Sequence, residues 1–152
     1  MFQPGKRTLT LSRGHHREIC AHALAARPIE CCGLVGGVSR TDGNSESTTI
    51  YRLRNLAADP LICYDAAPED LFAAQRLMRS RGEEMIAIYH SHPRSPDPTP
   101  STTDIQLAYY PNAVYLIVGF DKESPLVRAF SISEADQTYT SVNLNVDIEP
   151  QA

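Results

Sequence analysis

The sequence lacks any run of lysine and arginine residues. Lysine occurs only as Lys6 and Lys122, arginine supplies the other positive charges, and the formal net charge is −4 over 152 residues. Nucleic acids and anionic membrane surfaces are usually bound by clusters of basic side chains. The composition therefore argues against a nucleic-acid partner and against a membrane partner.

Long apolar runs are also missing. No stretch could span a bilayer, and the N-terminal MFQPGKRTLTLSRGHH has neither an apolar signal core nor a small-residue cleavage site. We therefore expect a cytoplasmic protein. With 42% hydrophobic and 21% charged residues, the chain has the composition of a soluble globular protein. We predict a single domain over residues 1–152, with the first few residues and about 147–152 frayed.

Several cysteine and zinc signatures are absent. Cys20, Cys31, Cys32 and Cys63 form no C-x-x-C pair, which argues against a zinc knuckle and a thioredoxin motif. In a reducing compartment they are expected to be buried apolar residues. A thiol role for the adjacent Cys31 and Cys32 stays open, although packing is favoured for at least one. Neither H-E-x-x-H nor the deaminase signature H-x-E…P-C-x-x-C is present, which excludes the commonest zinc-hydrolase and zinc-deaminase motifs.

Hydrophobic periodicity predicts strands and helices in mixed order. The predicted strands cover residues 8–12, 32–38, 47–53, 85–92, 113–120 and 126–132, with a weaker strand near 142–146. The predicted helices cover residues 13–26, 68–81 and 101–108. This pattern is typical of an α/β protein with a single mixed β-sheet flanked by helices.

The stretch HSHPRSPDPTPSTTD, residues 90–104, carries the chemistry. His90 and His92 lie at positions i and i+2 of a predicted strand, so both imidazoles project from one face and can share a metal ion. Asp104 is the natural third ligand, because catalytic zinc sites usually combine three protein ligands with an open position. The proline-rich loop between them lowers the entropic cost of holding the ligands together.

Each of these residues also has a simpler explanation. An isolated H-x-H pair is more often a surface or core feature than a metal site. Ser101 and Asp104 fit a capping box, in which the serine caps a helix and the acidic residue bonds back to it. His15, His16 and His22 lie on or beside the first helix without a matching partner, and we interpret them as surface residues.

The combination of motifs resembles a known family. HSHP followed by PSTTD resembles the JAMM motif, H-x-H-P…S-x-x-D, of the MPN-domain (MPN+) zinc metalloproteases. RPIECCGLVGG (27–37) resembles the family's upstream segment, in which a glutamate precedes a Cys-Gly-Leu strand. LRNLAADP, YDAAPEDLFAAQRLMRSRG and IAIYHSHP resemble the small bacterial and archaeal members. The resemblance covers most of residues 8–132 and implies the MPN fold, which is similar to that of cytidine deaminases.

The loop of the motif departs from the family pattern. Eight residues, PRSPDPTP, separate His92 from Ser101, where the usual pattern has seven. The S-x-x-D spacing is unchanged. Since one extra loop residue costs little free energy, we expect the helix start to keep Ser101 beside Asp104. The loop conformation and the access of substrate are where a difference is expected.

The resemblance also implies site residues and a cofactor. It implies one Zn²⁺ per chain held by His90, His92 and Asp104, which would lower the pKa of water to about 7. Glu30 maps onto the family's general base, although an exposed glutamate after a helix is the simpler interpretation. Ser101 maps onto the residue that donates a hydrogen bond to the developing oxyanion.

The implied activity is that of a zinc metallo-isopeptidase or peptidase, a deubiquitinase-like hydrolase. Its substrate would be the amide after the C-terminal glycine of a ubiquitin-like or sulfur-carrier protein. The substrate tail is expected to pair with an exposed strand edge, and loops 55–67 and 93–100 are expected to set specificity. A non-catalytic MPN scaffold or binding module is the main alternative, and a zinc hydrolase of a small amide or nucleoside-like substrate is another. The oligomeric state stays open.

Overall fold

A computed structural model describes residues 7–147 of the chain. Its strands are β1 (Thr8–Ser12), β2 (Cys32–Ser39), β3 (Ser45–Leu53), β4 (Glu84–Ser91), β5 (Val114–Asp121), β6 (Ser124–Ser133), β7 (Thr138–Ser141) and β8 (Asn143–Asp147). Its helices are α1 (Arg13–Ala26), α2 (Pro68–Ser80) and α3 (Thr102–Gln106). None of the described helices is long and apolar enough to cross a membrane.

The described strands form one mixed sheet in the order β7-β6-β5-β4-β2-β3-β1-β8. β4 runs parallel to β5 and antiparallel to β2, and β1 runs parallel to both β3 and β8. The mixed sheet predicted from the sequence is therefore confirmed. β4, the strand that ends in the H-x-H pair, lies inside the sheet between β2 and β5.

The two longer helices cover opposite faces of this sheet. α1 begins at Arg13 because the Ser12 hydroxyl accepts a hydrogen bond from the His15 amide at 3.1 Å, and it buries Ile19 on one face. α2 begins with Pro68 in its first turn and buries Met78 on the other face. Helices therefore flank the sheet as the sequence predicts.

Three details differ from the sequence-based prediction. β7 was not predicted, since its four residues TYTS are all exposed and show no apolar alternation. α3 is shorter than the predicted 101–108 and spans Thr102–Gln106. Asp147, predicted to be frayed, ends β8, while the rest of the predicted frayed ends, residues 1–6 and 148–152, lies outside the described residues.

Strand register brings the upstream segment to the H-x-H pair. Cys32 lies opposite His90 in the antiparallel β2–β4 pair, and the Ser91 amide donates to the Cys31 carbonyl at 3.2 Å. Glu30 lies two residues before Cys32, and His92 lies two residues after His90. In an antiparallel pair these two positions are therefore at the same level. The topology thus joins two segments that are about sixty residues apart in the sequence.

Candidate metal centre

Three ligand-type atoms converge at the carboxyl end of β4. His90 Nε2 and His92 Nε2 are 3.1 Å apart, and Asp104 Oδ2 lies 3.2 Å from the first and 3.1 Å from the second. The His90 side chain is 1% exposed, His92 17% and Asp104 10%, so the cluster is shielded from bulk water but opens on the His92 side. The three residues predicted as ligands are therefore together.

The donor set fits a tetrahedral metal ion. Two ligand atoms bound to zinc at roughly 2.0–2.2 Å across a tetrahedral angle are separated by about 3.3 Å. All three separations in this site are close to that value. Two imidazole nitrogens and one carboxylate oxygen are also a donor set that suits zinc and leaves a fourth position open. These residues could hold one metal ion.

Asp104 carries both roles that its sequence pattern suggested. Its Oδ2 accepts from the Ser101 amide at 2.9 Å, and the Ser101 hydroxyl accepts from the Asp104 amide at 3.1 Å, so the capping box is complete. The same Oδ2 faces His90 and His92. Burial raises the pKa of Asp104, but the hydrogen bonds with the two histidines outweigh burial and hold this pKa well below its ordinary value. The cap therefore orients an ionised carboxylate toward the imidazoles.

Glu30 is buried beside this cluster, with 6% of its surface exposed. The simpler interpretation of Glu30, an exposed glutamate after a helix, is therefore wrong. Burial raises its pKa to about 7, with His92 lowering it and Asp104 raising it by smaller amounts. A carboxyl group that titrates near neutral pH can both accept and return a proton there.

Ser101 lies at the exposed rim of the site, as the cap of α3. Its hydroxyl oxygen accepts from the Asp104 amide, which leaves the hydroxyl hydrogen available as a donor. Ser101 lies beside Asp104, as expected despite the extra residue in loop 93–100. Within that loop Pro98 is buried, and the Phe120 amide donates to the Ser95 carbonyl at 2.7 Å.

Two contacts of the site were missed by sequence reasoning. The Tyr64 ring stacks on the His90 imidazole, with centroids 4.6 Å apart and planes at 25°. Asn55 donates from Nδ2 to the Glu30 carbonyl at 3.0 Å. Both residues lie in segments that resemble those of the small bacterial and archaeal family members: Asn55 in LRNLAADP and Tyr64 in YDAAPEDLF. Nothing in the local pattern distinguished them from ordinary loop residues, because Glu30 and His90, their partners in these two contacts, are 25 or more positions away in the chain.

A match to a protein family accounts for this geometry. The family of prokaryotic homologs of the JAB domain matches residues 12–133. The chain belongs to this family. That confirms the resemblance to JAMM/MPN proteins and the fold class that it implied.

Curated relatives match most of the chain. It is 34% identical over 118 residues to the desampylase of Haloferax volcanii, covering 74% of this chain and 81% of that protein. It is 35% identical over 129 residues to a probable TtuB-protein conjugate cleaving protease of Thermus thermophilus, covering 85% and 79%. The CysO-cysteine peptidase of Mycobacterium tuberculosis is 29% identical over 125 residues, covering 82% of each chain.

A solved structure has the same fold. The solution structure of a protein from Desulfitobacterium hafniense superposes with a TM-score of 0.81 at 32% identity, covering 93% of this chain and 94% of that one. The arrangement of sheet and helices described above is therefore that of an experimentally determined relative.

The JAB domain of this chain has an apolar cavity next to Ser101 and Asp104. It holds about 480 Å³ and is lined by residues of loop 55–67 and of the segment after α3, among them Ile62, Leu107 and Tyr110. These three side chains are 37–64% exposed, so the cavity opens to solvent. It offers an apolar contact surface directly beside the candidate metal ligands.

The remaining histidines and cysteines do not join this centre. His15, His16 and His22, interpreted as surface residues, are half-buried rather than fully exposed. His22 Nδ1 lies 2.7 Å from the Tyr89 hydroxyl oxygen. Cys31 and Cys32 are buried on opposite faces of the sheet, so both pack in a core. Cys20 and Cys63 are half-buried rather than buried, and none of the described cysteines forms a disulfide.

Proposed function

We propose that this protein is a zinc-dependent metallopeptidase that hydrolyses the amide after the C-terminal glycine of a ubiquitin-like or sulfur-carrier protein. The observation that carries the proposal is the convergence of His90, His92 and Asp104 within 3.2 Å beside a buried Glu30. The names of the relatives agree with it, since they denote a desampylase, a conjugate-cleaving protease and a CysO-cysteine peptidase.

His90, His92 and Asp104 would hold the zinc ion. When bound, zinc would supply Lewis acidity, which lowers the pKa of water so that it can lose a proton and become a nucleophile near neutral pH. Glu30 would accept the proton of that water and return it to the leaving amine. Burial raises its pKa to about 7, which makes its carboxylate a stronger base than an exposed glutamate. The Ser101 hydroxyl would donate to the substrate carbonyl oxygen as negative charge develops there.

Substrate recognition is assigned to loops 55–67 and 93–100. The substrate tail is expected to pair with a free strand edge. β4 is paired on both sides. β3 pairs with β1 only at Ser45 and Glu46, so its residues 47–53 have one edge without a strand partner among the described residues. The apolar cavity beside Asp104 lies under loop 55–67. We therefore expect this cavity to receive an apolar side chain near the substrate's C terminus.

The scaffold alternative receives no support from the site. Family members that serve only in assembly typically lack one or more motif residues, whereas this chain keeps all of them, with His90, His92 and Asp104 within 3.2 Å of one another. We also infer that one domain suffices to form the site, since every candidate residue lies within one sheet and its flanking loops.

The proposal is tested with zinc analysis and a cleavage assay on three proteins. Wild type, Glu30→Gln and His92→Ala would be saturated with Zn²⁺, freed of excess metal and incubated with a sulfur-carrier protein fused through its C-terminal glycine to a reporter peptide. Wild type should retain about one zinc per chain and release the reporter. Glu30→Gln should retain zinc but cleave at least 100-fold more slowly, because the base is lost. His92→Ala should neither retain zinc nor release the reporter.

The outcomes separate the candidate functions. A folded wild type that retains no zinc would overturn the enzyme proposal in favour of the scaffold. Full cleavage by Glu30→Gln would overturn the assignment of the base. A zinc-loaded wild type that cleaves no fusion would overturn the proposed substrate and favour a zinc hydrolase of small amides.

A further inference from the structure

In the loop between β3 and α2, packing against the core comes from the last residues, Tyr64 and Ala66. Leu56, Leu61 and Ile62 are 46–64% exposed, so they do not anchor it in a core. We call residues 55–66 the support loop. Its two ends meet, since Asn55 and Ala66 form a β-bridge and the Leu56 amide donates to the Asp65 carbonyl at 2.8 Å.

The Asn55 side chain organises this loop through four hydrogen bonds. Nδ2 donates to the carbonyls of Glu30 at 3.0 Å and Cys63 at 3.1 Å, and Oδ1 accepts from the amides of Ala57 at 3.0 Å and Asp65 at 2.9 Å. A primary amide has two donor hydrogens and two acceptor lone pairs, so its capacity is fully used. The partners fix its orientation, because two are carbonyls and two are amides.

The support loop contacts the candidate site at two points. The Glu30 amide donates to the Pro60 carbonyl at 2.8 Å, so both backbone polar groups of Glu30 are bonded to this loop. At the other point, Tyr64 stacks on His90 at 4.6 Å. One short segment thus holds the backbone of the candidate base and the ring of a candidate ligand.

His90 depends on that stacking for its orientation. A ligating histidine usually donates its second ring nitrogen to a carboxylate or carbonyl, which fixes the ring. His90 Nδ1 is buried and has no hydrogen-bond partner among the described residues. Besides the Nε2 contacts with His92 and Asp104, the contacts that hold this imidazole are ring contacts, above all the stacked face of Tyr64.

We propose that Asn55 is a positioning residue for this site: its four hydrogen bonds hold the support loop so that Glu30 and, through Tyr64, His90 keep their places. The proposal rests on the proposed function, in that it assigns Glu30 and His90 their roles. The Asn55 side chain touches neither a donor atom of the metal ligands nor the wall of the cavity assigned to the substrate.

The test compares two pairs of variants by titration of the metal-free protein with Co²⁺, whose visible absorption reports both occupancy and ligand geometry. Asn55→Asp keeps the size and the acceptor but sets an oxygen against the carbonyls of Glu30 and Cys63. Asn145→Asp is its control, since it adds the same charge on exposed β8. Tyr64→Leu removes the stacked ring, and Tyr64→Phe retains it.

Asn55→Asp and Tyr64→Leu should weaken Co²⁺ binding about 10–100-fold and alter its absorption spectrum, as outer-shell changes at metal sites do. Asn145→Asp and Tyr64→Phe should match wild type. In the reporter assay, Asn55→Asp should lower kcat because it displaces Glu30, whereas Asn145→Asp should leave kcat at the wild-type value.

Wild-type affinity and spectrum in folded Asn55→Asp would overturn the proposal. If that variant does not fold, equal Co²⁺ binding by Tyr64→Leu and Tyr64→Phe would overturn it instead. If wild type binds Co²⁺ but cleaves no fusion, the proposed substrate is wrong, and the Co²⁺ comparison still decides the role of Asn55.

Discussion

At the scale of single residues, the local sequence pattern allowed two interpretations of Asp104 and two of Glu30. Asp104 was predicted both as a cap and as a ligand, and one oxygen atom meets both requirements because the cap lies against β4. Glu30 follows a helix and a proline, a context typical of an exposed residue, yet it is buried. Its burial depends on the loop that covers it, which no pattern near position 30 describes.

His22 should make the stability of the fold depend on pH. Burial and, to a smaller extent, Arg52 lower its pKa to about 4, whereas the unfolded chain has a value near 6.5. Below pH 6.5 the unfolded state therefore binds a proton that the folded state does not, and stability falls as pH drops toward 4. After allowance for its partial exposure, we expect a loss of about 2 kcal/mol from this residue.

The measurement is urea unfolding of wild type and His22→Asn at pH 7 and pH 4.5. The asparagine can still accept from the Tyr89 hydroxyl but does not titrate. The free energy of unfolding of the variant should fall less over this interval, by about 2 kcal/mol. An equal fall in both proteins would show that His22 is protonated as readily in the folded state as in the unfolded one.

At the scale of elements, loop 93–100 shows how one extra residue is accommodated. The His92 amide donates to the Val118 carbonyl at 2.8 Å, and the Ser95 amide donates to the His92 carbonyl at 3.0 Å. The loop therefore continues along β5 before it turns toward α3. Gly119 permits this close approach, because a Cβ there would overlap the Ser95 carbonyl and the Pro98 ring.

Gly119→Ala should displace this loop and, with it, His92. We expect a loss of about 1–3 kcal/mol in the free energy of unfolding, as for other overpacked sites, together with weaker zinc binding. Gly82→Ala is the matched control. It places a methyl group in open space at a φ of +68°, so it should lower stability without affecting zinc. Thermal unfolding and zinc competition titration would be measured for both, and equal zinc affinity in the two variants would contradict this account.

At the scale of the whole molecule, the centre joins parts of the chain that only the sheet brings together. The ligands come from the end of β4 and the start of α3, and Glu30 comes from the approach to β2. The unfolded chain has no such arrangement, so a metal ion that binds here stabilises the folded state.

Zinc should therefore raise the melting temperature. At a free concentration 100 times the dissociation constant, the gain is about 2.7 kcal/mol, which corresponds to a shift of roughly 5–10 °C for a chain of this size. A chelator should reverse the shift. His92→Ala, measured in parallel by calorimetry with and without zinc, should show no shift, and a shift equal to that of wild type would place the bound metal elsewhere.

The sequence by itself determined most strands and helices, the H-x-H pair on one strand face and the cap that carries Asp104, because these depend on periodicity and on contacts a few residues apart. It did not reveal β7, whose exposed residues pair only because β6 lies beside them. Nor did it reveal the half-burial of His22, the burial of Glu30, or the contacts of Asn55 with Glu30 and of Tyr64 with His90. Those were decided by the tertiary structure, because each depends on a partner from a distant segment whose position is set by the sheet.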